Sequence, residues 1–486
     1  MKQRVTILSV IIVLLFSACQ SNETEYENAV VIQNISTIDA ENGMNENQTV
    51  VIKDGRIMEV ASSDELSVSL ESNEIIDGSG KYLIPGLWDA HVHFSYIEEL
   101  APSMFDLFLV YGITSVRDTG GRIEFVKQWK DRAVANPTEA PRVMIAGPLL
   151  DGEPNVYDGS SPGRPPLSVG LETVEDVTEM VNRLDSMGVD LLKAYEMLTP
   201  EQFEEVIRLA EEKGLKVTGH VPLSMNAVSA SSAGLNSMEH MRNLEVSMAS
   251  NWEELQEQRL QLLEEGEDDP GGILRSRIHS AMRETAIENY DEERADEVLQ
   301  ALAENDTWQI PTLALNTRSV EKFYTDPEWQ ETFTLLPDSI EQEWYNSAEE
   351  GAQSEVSEFG AEYSNWLFSM VGKINEAGIT MMAGTDTPIG LLTPGRSLHH
   401  ELKVMVDAGL TPMEALEAAT LNPARYFEME DELGTINEGK WADLLILDAN
   451  PLQDIQNTQQ INMVIKQGKV YDREALDGIL EELRNN

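Results

Sequence analysis

The chain has 486 residues, enough for one large catalytic domain of the α/β-barrel size, which takes about 250 residues, plus a smaller second domain. Its 86 acidic against 34 basic residues give a formal net charge of −52. That balance excludes nucleic acid and anionic membrane surfaces as partners, and it suits a hydrated surface working in a salty medium, where screening removes the self-repulsion.

The start reads as targeting rather than fold. Lys2 and Arg4 precede an apolar run from Val5 to Phe16, shorter than the roughly 20 residues of a membrane span and typical of a signal peptide. Phe16-Ser17-Ala18-Cys19 matches a bacterial lipoprotein cleavage box. Cys19 is the sole cysteine and stands where lipid attachment requires it, so residues 1–18 are expected to be removed and 19–28 to form a lipid-anchored tether. The expected location is therefore exported, on the periplasmic or cell-surface side of a bacterial membrane and held there only by the anchor. The single cysteine also excludes an intrachain disulfide.

From Ala29 short β runs alternate with Asp-Gly and Asn-Gly turn signals, and similar runs return in 442–448 and 463–471. Strands at both ends pair most simply into one small β-sandwich, from 29–84 and 431–486, with the central domain of 85–430 inserted between them. Inside that insertion, strand candidates alternate with helical stretches. The first runs through Leu83-Ile84-Pro85-Gly86-Leu87-Trp88-Asp89-Ala90-His91-Val92-His93. The others fall at 112–118, 142–147, 189–195, 215–220, 235–240, 308–314 and 379–386. Eight parallel strands predict an α/β fold, a (β/α)8 TIM barrel with its active site at the strands' C-terminal ends. Thr199-Pro200-Glu201-Gln202, with Gly214 beyond, predicts a helix with capping Thr, Pro at the first position and Gly at the end; Thr411-Pro412-Met413-Glu414 repeats the start.

The chemistry gathers at those strand ends. His91 and His93, two apart on a strand, share a face. His220, His240 and Asp386 close later strands, so four of the seven histidines and a carboxylate meet at one rim. Neutral imidazoles with a carboxylate are a donor set for zinc-like divalent ions.

Gly80 to His93, Gly112-Ile113-Thr114-Ser115-Val116-Arg117-Asp118, Val217-Thr218-Gly219-His220, Ser237-Met238-Glu239-His240 and Ala383-Gly384-Thr385-Asp386 together resemble the amidohydrolase superfamily, in its imidazolonepropionase-like and prolidase-like branch. Leu421-Asn422-Pro423-Ala424 and Gly439-Lys440-Trp441-Ala442-Asp443-Leu444 extend the match over nearly all of the chain beyond the tether. The resemblance implies a distorted barrel, metal-dependent hydrolysis of a C–N or related bond, and His91, His93, His220, His240 and Asp386 around the metal. It also implies a ligand at Lys193, carboxylated in two-metal members; one ion or two, zinc first, is the expectation. Asp386 is expected to move the proton from water to the leaving nitrogen, and His240 or His220 to steady the oxyanion.

Tyr195, on the strand face of Lys193, and Arg117 are the candidate substrate contacts, with an internal salt bridge the competing role for Arg117. His399 and His400 stay outside the ligand set, and His279 is expected at the surface of an acidic helical insertion. Segments 243–307 and 316–373, charged and helical, follow strands six and seven and either cap the mouth or cover the barrel's outside; the loop 149–171 is another rim. The substrate is expected to be a small molecule, such as an N-acyl amino acid, an Xaa-Pro dipeptide or a cyclic amide, handled by a monomer or homo-oligomer. A noncatalytic surface lipoprotein using the same fold to bind a ligand is the alternative.

Overall fold

The structure, a computed structural model, describes residues 26–66, 72–160 and 163–485. The expected signal segment 1–18, Cys19 and the tether up to residue 25 lie outside the described residues.

One mixed eight-stranded sheet draws on both ends of the chain. Its order is Lys469–Tyr471, Ile461–Lys466, Leu444–Leu447, Tyr82–Pro85, Val30–Asp39, Gly43–Lys53 and Arg56–Ser62, with Glu74–Asp77 beside Val30–Asp39. The ends meet where Leu83 stands opposite Ile446 in antiparallel register. Ile32, Val50, Ile52, Leu83, Leu444 and Ile465 form the apolar layer of this sheet. The turn between Gly43–Lys53 and Arg56–Ser62 places Asp54 and Gly55 at φ 51° and 79°. Two successive positive φ values match the strand twist of a tight hairpin, and Asp-Gly is the pair that adopts them at least cost.

The central region is parallel. Leu87–Val92, Ile113–Asp118 and Arg142–Ile145 form one three-stranded sheet; Ser168–Leu171, Leu149–Gly152, Leu191–Ala194, Lys216–Gly219, Ser237–Glu239 and Trp308–Ile310 form another of six. The eighth expected strand, 379–386, is not a ladder strand. It makes isolated parallel bridges at Met381 to Gln309 and at Thr387 to Val92. Its backbone is still tied on several sides: the amide of Met382 donates to Gln309 O, Ala383 to Ala418 O, Thr385 to the Asp89 carboxylate and Asp386 to His91 O. Bonds leaving in several directions break the regular ladder but tie this segment between the strands of Trp308 and Leu87. The contact is close at Gly384, where a Cβ would stand 2.8 Å from that of His91.

The helix Pro200–Lys213 has the predicted ends. Thr199 accepts from the Gln202 amide in a reciprocal capping box, and Gly214 takes φ 69°. Phe203, Val206, Ile207 and Ala210 face the core. The insertion after Ser237–Glu239 folds into Trp252–Glu265, Gly271–Glu288 and Glu292–Glu304. Leu255, Leu274, Ile278 and Met282 of the first two helices pack with Leu149, Leu167 and Tyr195 into a separate apolar cluster. Burial of that cluster, at about 25 cal/mol per Å2, fastens the insertion and the 149–171 segment to one side of the strand ends.

Candidate metal centre

Successive parallel strands deliver their last residues to one small cavity of about 30 Å3, walled by His91, His93, Lys193, His220, His240 and Asp386, with Leu149, Tyr157, Leu167, Tyr195 and Ile389 around them. His91 Nε2 and His93 Nε2 are 3.3 Å apart. They lie 3.1 and 2.9 Å from Asp386 Oδ1, and His240 Nε2 lies 3.6 Å from Asp386 Oδ2. The rings of His220 and His240 have centroids 4.9 Å apart.

Three of the four imidazoles are aimed by their other nitrogen. His93 Nδ1 donates to Gly120 O at 2.9 Å, His220 Nδ1 to Glu196 Oε1 at 2.6 Å, and His240 Nδ1 to Thr312 Oγ1 at 2.5 Å. The Thr312 hydroxyl passes its own hydrogen to Pro311 O. With Nδ1 protonated, the Nε2 atoms of these three rings carry lone pairs, the form that binds a cation. Burial pushes His91 down to about 3 and His220 and His240 well below the imidazole range, which keeps them neutral. Burial alone would raise the Asp386 carboxyl; the imidazoles around it, His91 foremost, hold it well below the usual range.

The donor set fits a divalent ion. Asp386 Oδ1 and His91 Nδ1 are buried with no hydrogen-bond partner, although the Nε2 atoms of His91 and His93 close on Asp386 Oδ1 from two sides. Such atoms cost free energy unless a cation satisfies them. Two triads, His91 with His93 and Asp386, and His91 with Glu239 and His240, each bring their ligand atoms within 4.8 Å of one another. His240 and Asp386 hold φ of 63° and 67°, a left-handed backbone that costs a non-glycine residue about 1–3 kcal/mol. Strain at both positions is consistent with a backbone bent to aim ligands.

Lys193 reaches the same wall, and its ammonium meets the Glu239 carboxylate. Arg117, by contrast, is wholly buried beneath the cavity and does not line it. It donates to Glu239 Oε1 at 3.0 Å and to Ala90 O at 2.5 Å. The substrate contact expected of Arg117 is thus replaced by the internal salt bridge. Asp118 accepts from the amides of Phe94 and Gly120, and burial raises it to about 6. Tyr195 does line the cavity, its ring centroid 4.4 Å from that of His220.

His279 is not a surface residue. Its helix, Gly271–Glu288, lies against the site, and His279 Nε2 donates to Glu196 Oε2 at 2.5 Å while Arg275 Nε donates to Oε1 at 2.9 Å. Glu196 therefore joins a candidate ligand, His220, to the inserted helix. Burial would raise its carboxyl, but Arg275 and His279 outweigh that and hold it well below the normal range. Its signal in the sequence was a charged residue directly after Tyr195 at a strand end. Glu239, directly before His240, offered the same signal. His399 bonds Thr458 and Tyr111 O away from the cavity, and His400 packs on Phe323 and Trp329.

A family model described as "Amidohydrolase family" matches residues 82–296 and 367–471, more than half of the chain and every residue of the cavity wall. The chain belongs to the amidohydrolase family. The unmatched stretch between the two blocks holds the strand Trp308–Ile310 and helices on either side of it. Among curated relatives of this amidohydrolase, "Ochratoxinase" of Aspergillus niger is 36% identical over 115 residues, 23% of each chain. "Adenine deaminase" of Clostridium botulinum (strain Loch Maree / Type A3) is 33% identical over 104 residues, 21% of this chain and 17% of the relative. The match thus spans less than a quarter of either curated relative. A solved Xaa-Pro dipeptidase with methionine bound in its active site shares the fold, with a TM-score of 0.65, 20% identity and coverage of 92% of this chain and 100% of that one.

Proposed function

We propose that this amidohydrolase uses a divalent metal, zinc first, to hydrolyse a C–N bond in a small molecule such as an N-acyl amino acid, an Xaa-Pro dipeptide or a cyclic amide. The observation that carries the reading is the convergence of four imidazoles and Asp386 on one buried cavity. The names of the ochratoxinase and the Xaa-Pro dipeptidase agree with hydrolysis of this class. Nothing in the comparisons favours the noncatalytic alternative. We further propose that the two parallel sheets close into a distorted (β/α)8 barrel through 379–387. In support, Asp190 N donates to Ile145 O across one gap, and Met382 N and Asp386 N span the other.

His91, His93, His220, His240, Asp386 and Lys193 would hold the ion or ions. A divalent ion there would lower the pKa of water towards about 7 and polarise a carbonyl. The chain's own residues do the rest. Asp386, ionised and at the cavity wall, accepts the proton of the attacking water and returns it to the leaving nitrogen. His240 spends its Nδ1 hydrogen on Thr312, so its Nε2 suits a ligand better than an oxyanion donor. Tyr195 and Leu149 shape the cavity for the substrate and help exclude bulk water.

Lys193 sets the ion count. Glu239 already has Arg117 as counter-ion, so it does not need the charge of Lys193; we therefore assign Lys193 a carbamate, whose negative charge would help to hold two ions. Metal analysis and intact mass test this: two ions per chain with one added CO2 support it, and one ion with unmodified Lys193 overturns it. We also propose export with a lipid on Cys19, on the strength of the cleavage box in the sequence.

The deciding experiment offers the metal-loaded protein N-acyl amino acids, Xaa-Pro dipeptides and lactams, before and after chelation. Product release that a chelator stops and zinc restores supports the reading. No release from any of the panel overturns it.

A further inference from the structure

The cavity at the metal centre, about 30 Å3, has room for about two water molecules, whereas a pocket that takes a small organic ligand holds about 300–1,000 Å3. A substrate of the proposed hydrolysis therefore keeps most of its atoms outside it. A second cavity, of about 350 Å3, lies at the same end of the strands. Its wall is drawn from three connections: Tyr96 follows the strand Leu87–Val92, Tyr324 and Trp344 follow Trp308–Ile310, and Pro388, Gly390 and Leu391 follow Asp386. The two spaces share a partition. Ile389 lines the metal cavity while its neighbours Pro388 and Gly390 line the outer one. The Ile389 amide donates to Asp386 O at 3.0 Å, and Trp329 Nε1 donates to Leu391 O at 3.1 Å, so the partition is held at both ends. Tyr96 belongs to both sides as well: it packs against the apolar cluster of Leu149, Leu167 and Tyr195, which line the metal cavity.

We propose that the outer cavity is a specificity subsite, which takes a neutral aromatic ring carried by the substrate a few bonds from the C–N bond that is cut beyond Ile389. The inference rests on the hydrolase reading and deepens it: the substrates are amides with an aryl group, and bare short dipeptides and lactams are poor ones. The chemistry of the wall sets the ligand. Tyr96, Tyr324 and Trp344 offer ring faces and edges, against which a flat apolar group gains more than its buried area alone supplies. Two of these rings are fixed before a ligand arrives: Trp344 meets Phe333 edge to face with centroids 5.4 Å apart, and Tyr324 meets Phe323 at 5.5 Å. A wall already in place costs the ligand no ordering of side chains. Arg318 and Glu343, both exposed, add one charge of each sign, so the cavity selects shape rather than charge. Tyr324 and Trp344 lie in residues 297–366, which the family model leaves unmatched, so this selection is separate from the metal centre that the family match covers.

The test plugs the cavity from its open side. Ser347, one turn past Trp344 on the helix Asp338–Gln353, is exposed and lines the same cavity. Metal-loaded wild type, Ser347→Trp and Ser347→Ala are given N-acetyl-L-alanine, with no ring, N-(3-phenylpropanoyl)-L-alanine and N-acetyl-L-phenylalanine, with the ring on the acyl or the amine side, and N-(3-cyclohexylpropanoyl)-L-alanine. Affinity is read by calorimetry and by quenching of tryptophan fluorescence, turnover as kcat and KM, and metal content and Tm alongside. Wild type is expected to bind at least one aryl compound about 10- to 100-fold tighter than N-acetyl-L-alanine, the range for burying one ring. Ser347→Trp brings that ratio near one through KM, with metal content and the kcat for N-acetyl-L-alanine held, and Ser347→Ala keeps it. No aryl preference in wild type, a preference unchanged in Ser347→Trp, or equal affinity for the cyclohexyl compound overturns the assignment. If Ser347→Trp does not fold, the smaller plug Ser347→Phe is read in its place. Aryl-selective binding without turnover upholds the subsite and sinks the hydrolase reading; turnover that ignores the ring does the reverse.

Discussion

Asp386 sits where three imidazole nitrogens and the backbone of the His91 strand converge, and it reaches that place only through a left-handed φ of 67°. Replacing its carboxylate by an amide keeps the shape and removes the base. Asp386→Asn is expected to lower kcat by about 10²- to 10⁴-fold, the usual worth of a positioned acid–base group, while the imidazoles retain much of the metal. Parallel turnover and metal analysis check it, and turnover near wild type would remove Asp386 from proton transfer. Glu196 acts at one remove. It aims His220 and is itself held by Arg275 and His279. Glu196→Gln should weaken metal binding by about 10- to 100-fold in chelator competition, as loss of a carboxylate behind a ligating imidazole does. The histidines were legible because they are few and stand at strand ends. Glu196, Glu239 and His279 were not, because the partners that bury their charge lie up to 122 residues away in sequence. His279 in particular sat in a run of acidic residues that reads as solvated.

At the scale of elements, local chemistry was the better guide. The Thr-Pro-x-Gln start of Pro200–Lys213 is made by side-chain-to-backbone bonds and its glycine end by backbone bonds at a positive φ, all within four residues, so the sequence alone specifies them. Thr199→Ala removes the acceptor for the Gln202 amide and should cost about 0.5–2 kcal/mol, read as a fall in Tm or denaturation midpoint with metal content unchanged. The segment 379–386 is the opposite case. Ile379-Thr380-Met381-Met382-Ala383 has the apolar run of a buried strand, but its amides answer to Asp89, His91 and Ala418, which are distant in sequence. Regular pairing is given up where the chain must turn to present Asp386. The inserted helices show the same limit: their charge pattern announced helices and not the face that carries Arg275 and His279 onto the site.

Across the whole molecule, the two-ended sheet is joined to the parallel region by a buried ion pair. Asp443 Oδ2 accepts from Lys466 Nζ at 2.9 Å and from Arg142 NH1 at 3.2 Å, and Asp443 O accepts from the Gly86 amide at the entry to the first parallel strand. Burial would raise the Asp443 carboxyl, but Lys466 and Arg142 outweigh it and hold it below its ordinary 3.8. A carboxylate depressed in the folded state adds stability above its unfolded pKa and loses it as pH falls through the folded value. Asp443→Asn leaves Lys466 buried without its partner and should cost about 3–5 kcal/mol near neutral pH. The gap in Tm between wild type and variant should close as pH is taken below about 4. Salt separates this seam from the surface. With a net charge of −52, mutual repulsion of exposed carboxylates opposes folding at low ionic strength, and the screening length shrinks from roughly 10 Å at 0.1 M to 3 Å at 1 M. The buried Asp443–Lys466 pair lies out of reach of that screening. Thermal melts from low to molar NaCl should therefore show Tm rising for wild type and Asp443→Asn alike, with the difference between them constant. A Tm that stays flat or falls would mean that the acidic surface is not an adaptation to salt, and a difference that shrinks with salt would mean that the seam is open to solvent.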